Sequence, residues 1–347
     1  MYKLIIHPLL FWFNMERAHT FVIWLLRIVG AIPGGNALLK SIYRVKHPSL
    51  EREVLGMKFN NPIGLAAGFD RNGDIISPLE AIGFGFVEIG TVTSEPQVGN
   101  QRPRVFRLKQ DNAIIQRNGN PNAGWKSVIS SLRKKRKEIV VGCNISAISD
   151  VSDDDLESSY LTTFRNLYQY SDYFTVNLTH VSTSNKEYLY SAERINRIIK
   201  PLFEFRRGQS EYRPILIKVS PDLSNEQLDE IVEILINTPL DGLVAVLGST
   251  SREGLKTSAS TLDKIGSGRL CGEPLKERAL EVVKYLHQAS GGHYPIIGVG
   301  GVSSGEDAQK MLDAGASLVQ IYSSFVYQGP QAVKRISNAL ISEKQPQ

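Results

Sequence analysis

The residues best able to do chemistry in this chain stand at the ends of short apolar runs. Lys218 lies near the end of "PILIKVS" (214–220), Asn144 in "IVVGCNIS" (139–146) and Asn177 in "YFTVNLT" (173–179), and His180 heads the polar loop that follows. A lysine there is costly to bury without an anionic or electron-rich partner, such as a reduced flavin ring. Asparagine offers a donor and an acceptor to a planar polar ligand, and is equally an ordinary turn former. Histidine, with a pKa near neutrality, is a competent base. In "GVGGVSSGEDA" (298–308), Gly300 and Gly301 precede a helix-like segment whose amides suit a phosphate, and Tyr322 and Ser323 follow in "IYSS" (321–324). The alternative there is a tight glycine turn with no ligand.

Positioning such residues takes a scaffold, and eight β-rich runs recur from residue 62 onward. Besides those above they are "PIGLAAG" (62–68), "FVEIGTV" (86–92), "GLVAVLG" (242–248), "PIIGVGG" (295–301) and "SLVQIYSS" (317–324). Their nearly continuous apolar character suits parallel strands buried on both faces. Helical stretches such as "SNEQLDEIVEILINT" (224–238), opened by a Ser224–Gln227 capping box, supply the crossovers. Eight such units predict an α/β fold of the (β/α)8 TIM-barrel type with its site at the C-terminal strand ends. A doubly wound sheet is the runner-up.

Composition narrows the function classes. The 347 residues are 42% hydrophobic with a formal charge of +5. That mild excess suits an anionic cofactor or a membrane surface, and no nucleic-acid partner is expected. Cys143 and Cys271 are the only cysteines, in no metal-binding spacing, so no metal is expected and a reducing compartment is the simple reading. The basic run "LRKKRKE" (132–138) reads as a solvated helix end. The N-terminal stretch is rich in Leu, Ile, Phe and Trp, but His7, Glu16, Arg17, His19 and Arg27 interrupt it. No run reaches the roughly 18 apolar residues of a spanning helix, and a signal peptide is not expected. Two short amphipathic helices against a membrane surface fit, ending at Pro33-Gly34-Gly35; a helical hairpin packed on the protein is the alternative.

Several long segments together resemble the class 2, quinone-dependent dihydroorotate dehydrogenases, which are membrane-associated. They are "NPIGLAAGFDRNG", "GFGFVEIGTVT", "GNQRPRVFRL", "IKVSPDLS", "PIIGVGG" and "GASLVQIYSSFVYQGP", with "MERAH" (15–19) in the N-terminal extension. The resemblance implies an N-terminal helical quinone-access extension over residues 1–45 and an FMN-binding barrel over 46–340. It places Ala66, Ala67, Gly68, Thr91, Asn144, Lys218, Gly272, Gly300, Gly301, Tyr322 and Ser323 at flavin positions, and His19, Arg104 and Tyr322 at the inner end of a quinone tunnel. It also implies a cytoplasmic protein associated peripherally with the inner face of the cell membrane.

The substrate side departs from the family pattern. Where the family reads N-[IVL]-S-S-P-N-T this chain reads "NLTHVST", so His180 stands for the base serine, Val181 for the proline and Ser182 for an asparagine. Gln116 replaces a substrate-binding asparagine, Leu247 replaces another, and Arg71 stands where the family has lysine. Leu247 cannot pair with a pyrimidine ring edge, whose bare polar groups would cost about 1–3 kcal/mol each. Arg71, Gln116 and Asn177 still suit a carboxylate. The expectation is therefore an FMN-dependent, quinone-linked enzyme that dehydrogenates a small carboxylate other than dihydroorotate, with His180 taking the proton. The alternatives are a genuine dihydroorotate dehydrogenase with a rebuilt site and a catalytically silent flavin protein; His180 is equally readable as uninvolved.

Overall fold

A computed structural model describes residues 12–133, 138–178 and 190–343. All eight predicted runs form strands: β1 (Ile63–Leu65), β2 (Phe86–Val92), β3 (Val140–Ile145), β4 (Tyr173–Asn177), β5 (Ile215–Val219), β6 (Gly242–Ala245), β7 (Ile296–Val299) and β8 (Leu318–Ile321). Each is parallel to its successor, and β8 pairs with β1 in the register Val319↔Ile63, closing the barrel. Closure removes the runner-up, since a doubly wound sheet keeps two open edges. The capping box at Ser224 and Gln227 is present.

Strand side chains alternate between barrel interior and helix layer. Phe86, Tyr173, Leu216, Ile297 and Leu318 fill one interior level. Two residues further along the same strands, Glu88, Thr175, Lys218, Val299 and Gln320 form the next, which is mostly polar. Gly64 and Gly142 leave room for the Phe86 and Tyr173 rings, into which an added Cβ would run.

Sequence reading did not find a three-stranded antiparallel sheet of Val105–Leu108, Ala113–Gln116 and Arg269–Gly272. Its strands have four residues each, too few for alternation to stand out, and Asn112 (φ +46) makes the turn between the first two. This sheet carries Gln116, Cys271 and Gly272 to the cleft described below.

At the N-terminal end, helix α1 (Met15–Ala31) and helix α2 (Gly35–Tyr43) meet at 110° across the expected Pro-Gly-Gly break. Gly34 adopts φ +83, and an added Cβ on Gly35 would collide with the Val29 carbonyl. Met15, Ala18 and Leu26 are buried, whereas Phe21, Trp24, Leu25, Ile32, Leu38 and Ile42 face outward. Polar contacts hold the pair to the barrel: Arg107 donates to the Phe13 carbonyl (2.9 Å), Lys334 to the Ile42 carbonyl (2.7 Å), and Glu80 pairs with Lys40 and Arg44. Neither helix alone is long and apolar enough to cross a membrane.

Candidate active site

The C-terminal strand ends open into a cleft enclosing about 580 Å³ of empty space, its solvent-open mouth included. Ala66 and Ala67 after β1, Lys218 on β5, Leu247 after β6, Gly300 and Gly301 after β7, and Tyr322 and Ser323 after β8 all line it, joined by Gln116 and Gly272. These residues are far apart in sequence and meet because every barrel strand delivers its last residues to one rim.

Thr91, Asn144 and Asn177 belong to a connected polar layer rather than to the cleft wall. Thr91 Oγ1 donates to Asn144 Oδ1 at 2.7 Å, and Asn177 Nδ2 donates to Thr91 Oγ1 at 3.3 Å. Asn144 Nδ2 in turn donates to Glu88 Oε1 at 2.9 Å. Gly68 is held by its amide to the Gly90 carbonyl (2.8 Å), its α-carbon facing the Tyr322 ring.

The cleft fits an anionic, planar cofactor such as FMN. Gly300 (φ +142) and Gly301 (φ +69) bring backbone close to the opening, and an added Cβ on either would meet Ala279 or Lys276 at under 3 Å. Lys218 supplies a cation and Ser323 a hydroxyl. Gln320 is fully buried against the cleft, and its Oε1 has no hydrogen-bond partner among the described residues. A buried carbonyl left bare is unusual and favours a ligand with an N–H to offer. Among the described residues, no group of His, Cys, Asp and Glu could hold a metal.

A second, mostly apolar cavity, about 1270 Å³ of empty space with its solvent-open part included, lies between α1 and the barrel. His19, Phe69, Arg71 and Tyr322 line it, and Tyr322 borders both spaces. Arg71 therefore sits on the helix side, with Nε 3.4 Å from the Gly68 carbonyl, and does not line the cleft where a carboxylate grip was expected. Arg104 lies behind the cavity wall. Its Nε donates to Glu16 Oε1 at 2.9 Å and its Nη1 to the carbonyls of Val98, Asn100 and Asn118. Burial pushes the Tyr322 hydroxyl up to about 12, opposed by the nearby Arg71 charge.

His19 donates through Nε2 to the Phe69 carbonyl at 2.8 Å, since a carbonyl can only accept. Burial, and secondarily Arg71, lower its pKa from 6.5 to about 4. Between those values the undocked chain binds a proton that the docked helix refuses, so stability falls as pH drops through that window, by on the order of 2 kcal/mol. Protection factors of the α1 amides, each exchange rate taken relative to the intrinsic rate at the same pH, are accordingly expected to fall from pH 6.5 to 4. The variant His19→Gln should lose this dependence; an unchanged pH profile in the variant would show that other groups govern docking.

On the substrate side, Gln116 and Leu247 line the cleft. Gln116 Nε2 lies 3.6 Å from Cys271 Sγ, and its Oε1 accepts from Asn118 at 2.6 Å. His180 and Ser182 lie outside the described residues. Sequence reading missed Glu88, Gln320, Cys271 and Glu16. Glu88 carried a signal, an acid at an inward-facing position of the otherwise apolar run "FVEIG".

Comparison with known proteins places this geometry. Residues 49–343 match the family described as "Dihydroorotate dehydrogenase". The "Dihydroorotate dehydrogenase (quinone)" of Christiangramia forsetii is 41% identical over 343 residues, 99% of either chain. That of Thermobifida fusca is 38% identical, with 97% of this chain and 90% of the relative covered. Among solved structures, ligand-free type DHODH from Eimeria tenella superposes with a TM-score of 0.85 at 30% identity, covering 95% of each chain.

Proposed function

Because this chain belongs to the dihydroorotate dehydrogenase family, we propose that it is an FMN-dependent, quinone-linked dihydroorotate dehydrogenase with a rebuilt substrate wall. The observation that carries this reading is Tyr322, which lines both the polar cleft and the apolar cavity. Two half-reactions, with a polar acid on one side and an apolar quinone on the other, need that arrangement. It also argues against a silent flavin protein, which has no use for a second cavity.

FMN held in the cleft would supply the two-electron redox chemistry that links substrate to quinone. Gly300, Gly301 and Ser323 would hold its phosphate, Lys218 its electron-rich ring edge, and Ala66, Ala67 and Gly272 its remaining outline, with Gly68, Thr91 and Asn144 supporting from the layer behind. Gln116 would hold the substrate carboxylate beside Leu247, with Asn177 supporting it from the polar layer and Arg71 from behind Gly68; a substrate role for Ser182 rests on sequence alone. His180 would take the substrate proton, a role resting on sequence alone. His19 and Tyr322 would line the inner end of the quinone cavity, with Arg104 behind the wall holding Glu16.

The helical extension to residue 45 would dock on the inner face of the cell membrane of a cytoplasmic barrel, residues 46–340. Its outward Phe21, Trp24, Leu25 and Leu38 support this placement, since such side chains favour the interface.

An acid other than dihydroorotate, the expectation drawn from the sequence, is supported by one observation, Leu247 on the cleft wall. The relatives' names give no sign of another substrate, so dihydroorotate is the better-supported reading. A single substitution separates the two. Leu247→Asn restores a partner for the ring edge and is expected to raise kcat/KM for dihydroorotate about tenfold, roughly 1.4 kcal/mol. Absence of dihydroorotate turnover in both wild type and variant would leave the other-acid reading standing.

A further inference from the structure

The apolar cavity between α1 and the barrel carries more positive than negative charge. Arg71, Arg102 and Arg107 line it, and among the described residues Glu16 is the one carboxylate that does. The other cations are committed to partners. Arg104, behind the wall, donates to Glu16 and to three backbone carbonyls. Arg102 shares that carboxylate from an exposed position, with Nε 3.4 Å from Oε1, and Arg107 donates to the Phe13 carbonyl at 2.9 Å. Arg71 has much less. Its Nε makes one long bond, 3.4 Å to the Gly68 carbonyl, and among the described residues no carboxylate pairs with it and no acceptor meets its Nη groups.

Arg71 also stands at the inner end of this cavity. A Cβ added to Gly68, whose carbonyl it holds, would lie 3.6 Å from the Tyr322 ring, and Tyr322 borders both the cavity and the cleft. The remaining polar groups there bring no charge to an incoming carbonyl oxygen. His19 has its Nε2 proton engaged by the Phe69 carbonyl and is neutral near neutral pH, so its Nδ1 presents a lone pair. The Tyr322 hydroxyl, kept protonated by burial, is a neutral donor. A guanidinium holds its proton near neutral pH, and beside apolar surface without an anion it is destabilised. A ligand oxygen that gathers negative charge would relieve this.

We infer that Arg71 receives a ring oxygen of the quinone, its Nη groups donating to the carbonyl and stabilising the negative charge that builds there during reduction. The cationic role that the family pattern gives to Arg104 thus passes to Arg71, whose fork offers two N–H groups where the family has a lysine. Reduction to quinol adds two electrons and two protons to the quinone. Arg71 gives up neither and contributes only hydrogen bonds.

This role rests on the quinone reading above, and the first test separates the two without turnover. A hydroxynaphthoquinone with an alkyl tail is ionised near neutral pH and carries on its ring oxygens the kind of charge that reduction brings; its methyl ether is the neutral match. Calorimetric titration of the oxidised, flavin-bearing protein is expected to show about tenfold tighter binding of the ionised form, the effect of one charge-assisted hydrogen bond. Arg71→Gln should bind the two alike. Equal affinities in wild type, or a preference that survives in Arg71→Gln, would overturn the assignment. Wild-type protein that binds neither compound would instead defeat the quinone reading itself. Where Arg71→Gln does not fold, the wild-type pair decides.

The second test is a rate. After anaerobic reduction of the flavin by dithionite, the limiting rate of reoxidation at saturating quinone is expected to fall about a hundredfold in Arg71→Gln, the scale for losing one donor to a developing oxyanion. Reoxidation by dioxygen, which has no ring oxygen to place, should stay close to wild type. Oxidation by quinone that persists in Ala18→Trp, whose added ring fills the cavity, measures entry from the cleft and is subtracted. A quinone rate unchanged in Arg71→Gln, or one that falls no further than the dioxygen rate, would contradict the role.

Discussion

Gly300→Val protein is expected to emerge from purification folded but nearly free of flavin, with affinity for added FMN lowered by more than about a hundredfold. An added Cβ at residue 300 would lie 2.6 Å from Ala279 Cβ, and the backbone there holds φ +142, a conformation that valine resists. Overpacking costs about 1–3 kcal/mol and backbone strain of this kind about as much again. The loop can relieve both only by moving into the cleft, where the cofactor phosphate would sit. Together these penalties approach two to three orders of magnitude in binding. Flavin absorbance per protein, read beside far-ultraviolet circular dichroism, checks the result. A folded variant with full flavin content would show that Gly300 is only a turn residue.

Ala18→Trp should disconnect the two half-reactions. Ala18 is buried on α1 and lines the apolar cavity, so a tryptophan there occupies the volume proposed for quinone. Flavin reduction by substrate, on the far side of Tyr322, should continue within a factor of about three, while turnover with a membrane quinone falls by two orders of magnitude or more. A small soluble oxidant reaching the flavin from the cleft should restore turnover, which distinguishes a blocked cavity from a damaged barrel. Loss of both half-reactions together would mean that the cavity is not a separate route.

Much of this architecture is legible in the sequence because parallel strands buried on both faces announce themselves as continuous apolar runs. All eight strands start at, or one residue after, the start of the run that predicts them, and β2 coincides with its run, Phe86–Val92. The rim glycines and Lys218 were readable for the same reason, since a residue that ends a barrel strand has only one place to go. The small sheet of Val105–Leu108, Ala113–Gln116 and Arg269–Gly272 was not, because its third strand lies more than 150 residues from the hairpin it joins. Pairing over that distance leaves no local trace.

Burial order was equally hidden. Arg71 and Arg104 read alike as cations near a site, yet one borders the helix-side cavity and the other is spent on Glu16 and three carbonyls. Glu88 was visible as an acid in an apolar strand, but its meaning depends on Asn144, Thr175, Lys218 and Gln320 arriving from four other strands. Leu247 shows the reverse case, where the sequence alone exposed a departure from the family pattern and the structure supplied only its position on the wall.

The most direct measurement is an anaerobic one with the purified, flavin-bearing protein. Dihydroorotate is added while the absorbance near about 450 nm, where oxidised flavin absorbs, is followed, and a quinone is then added to the same cuvette. The proposed function predicts bleaching by dihydroorotate and recovery of the absorbance on adding quinone. A flavin that remains oxidised in the presence of dihydroorotate, yet is reduced by a quinol, would contradict the assignment of substrate and return Leu247 to the centre of the question.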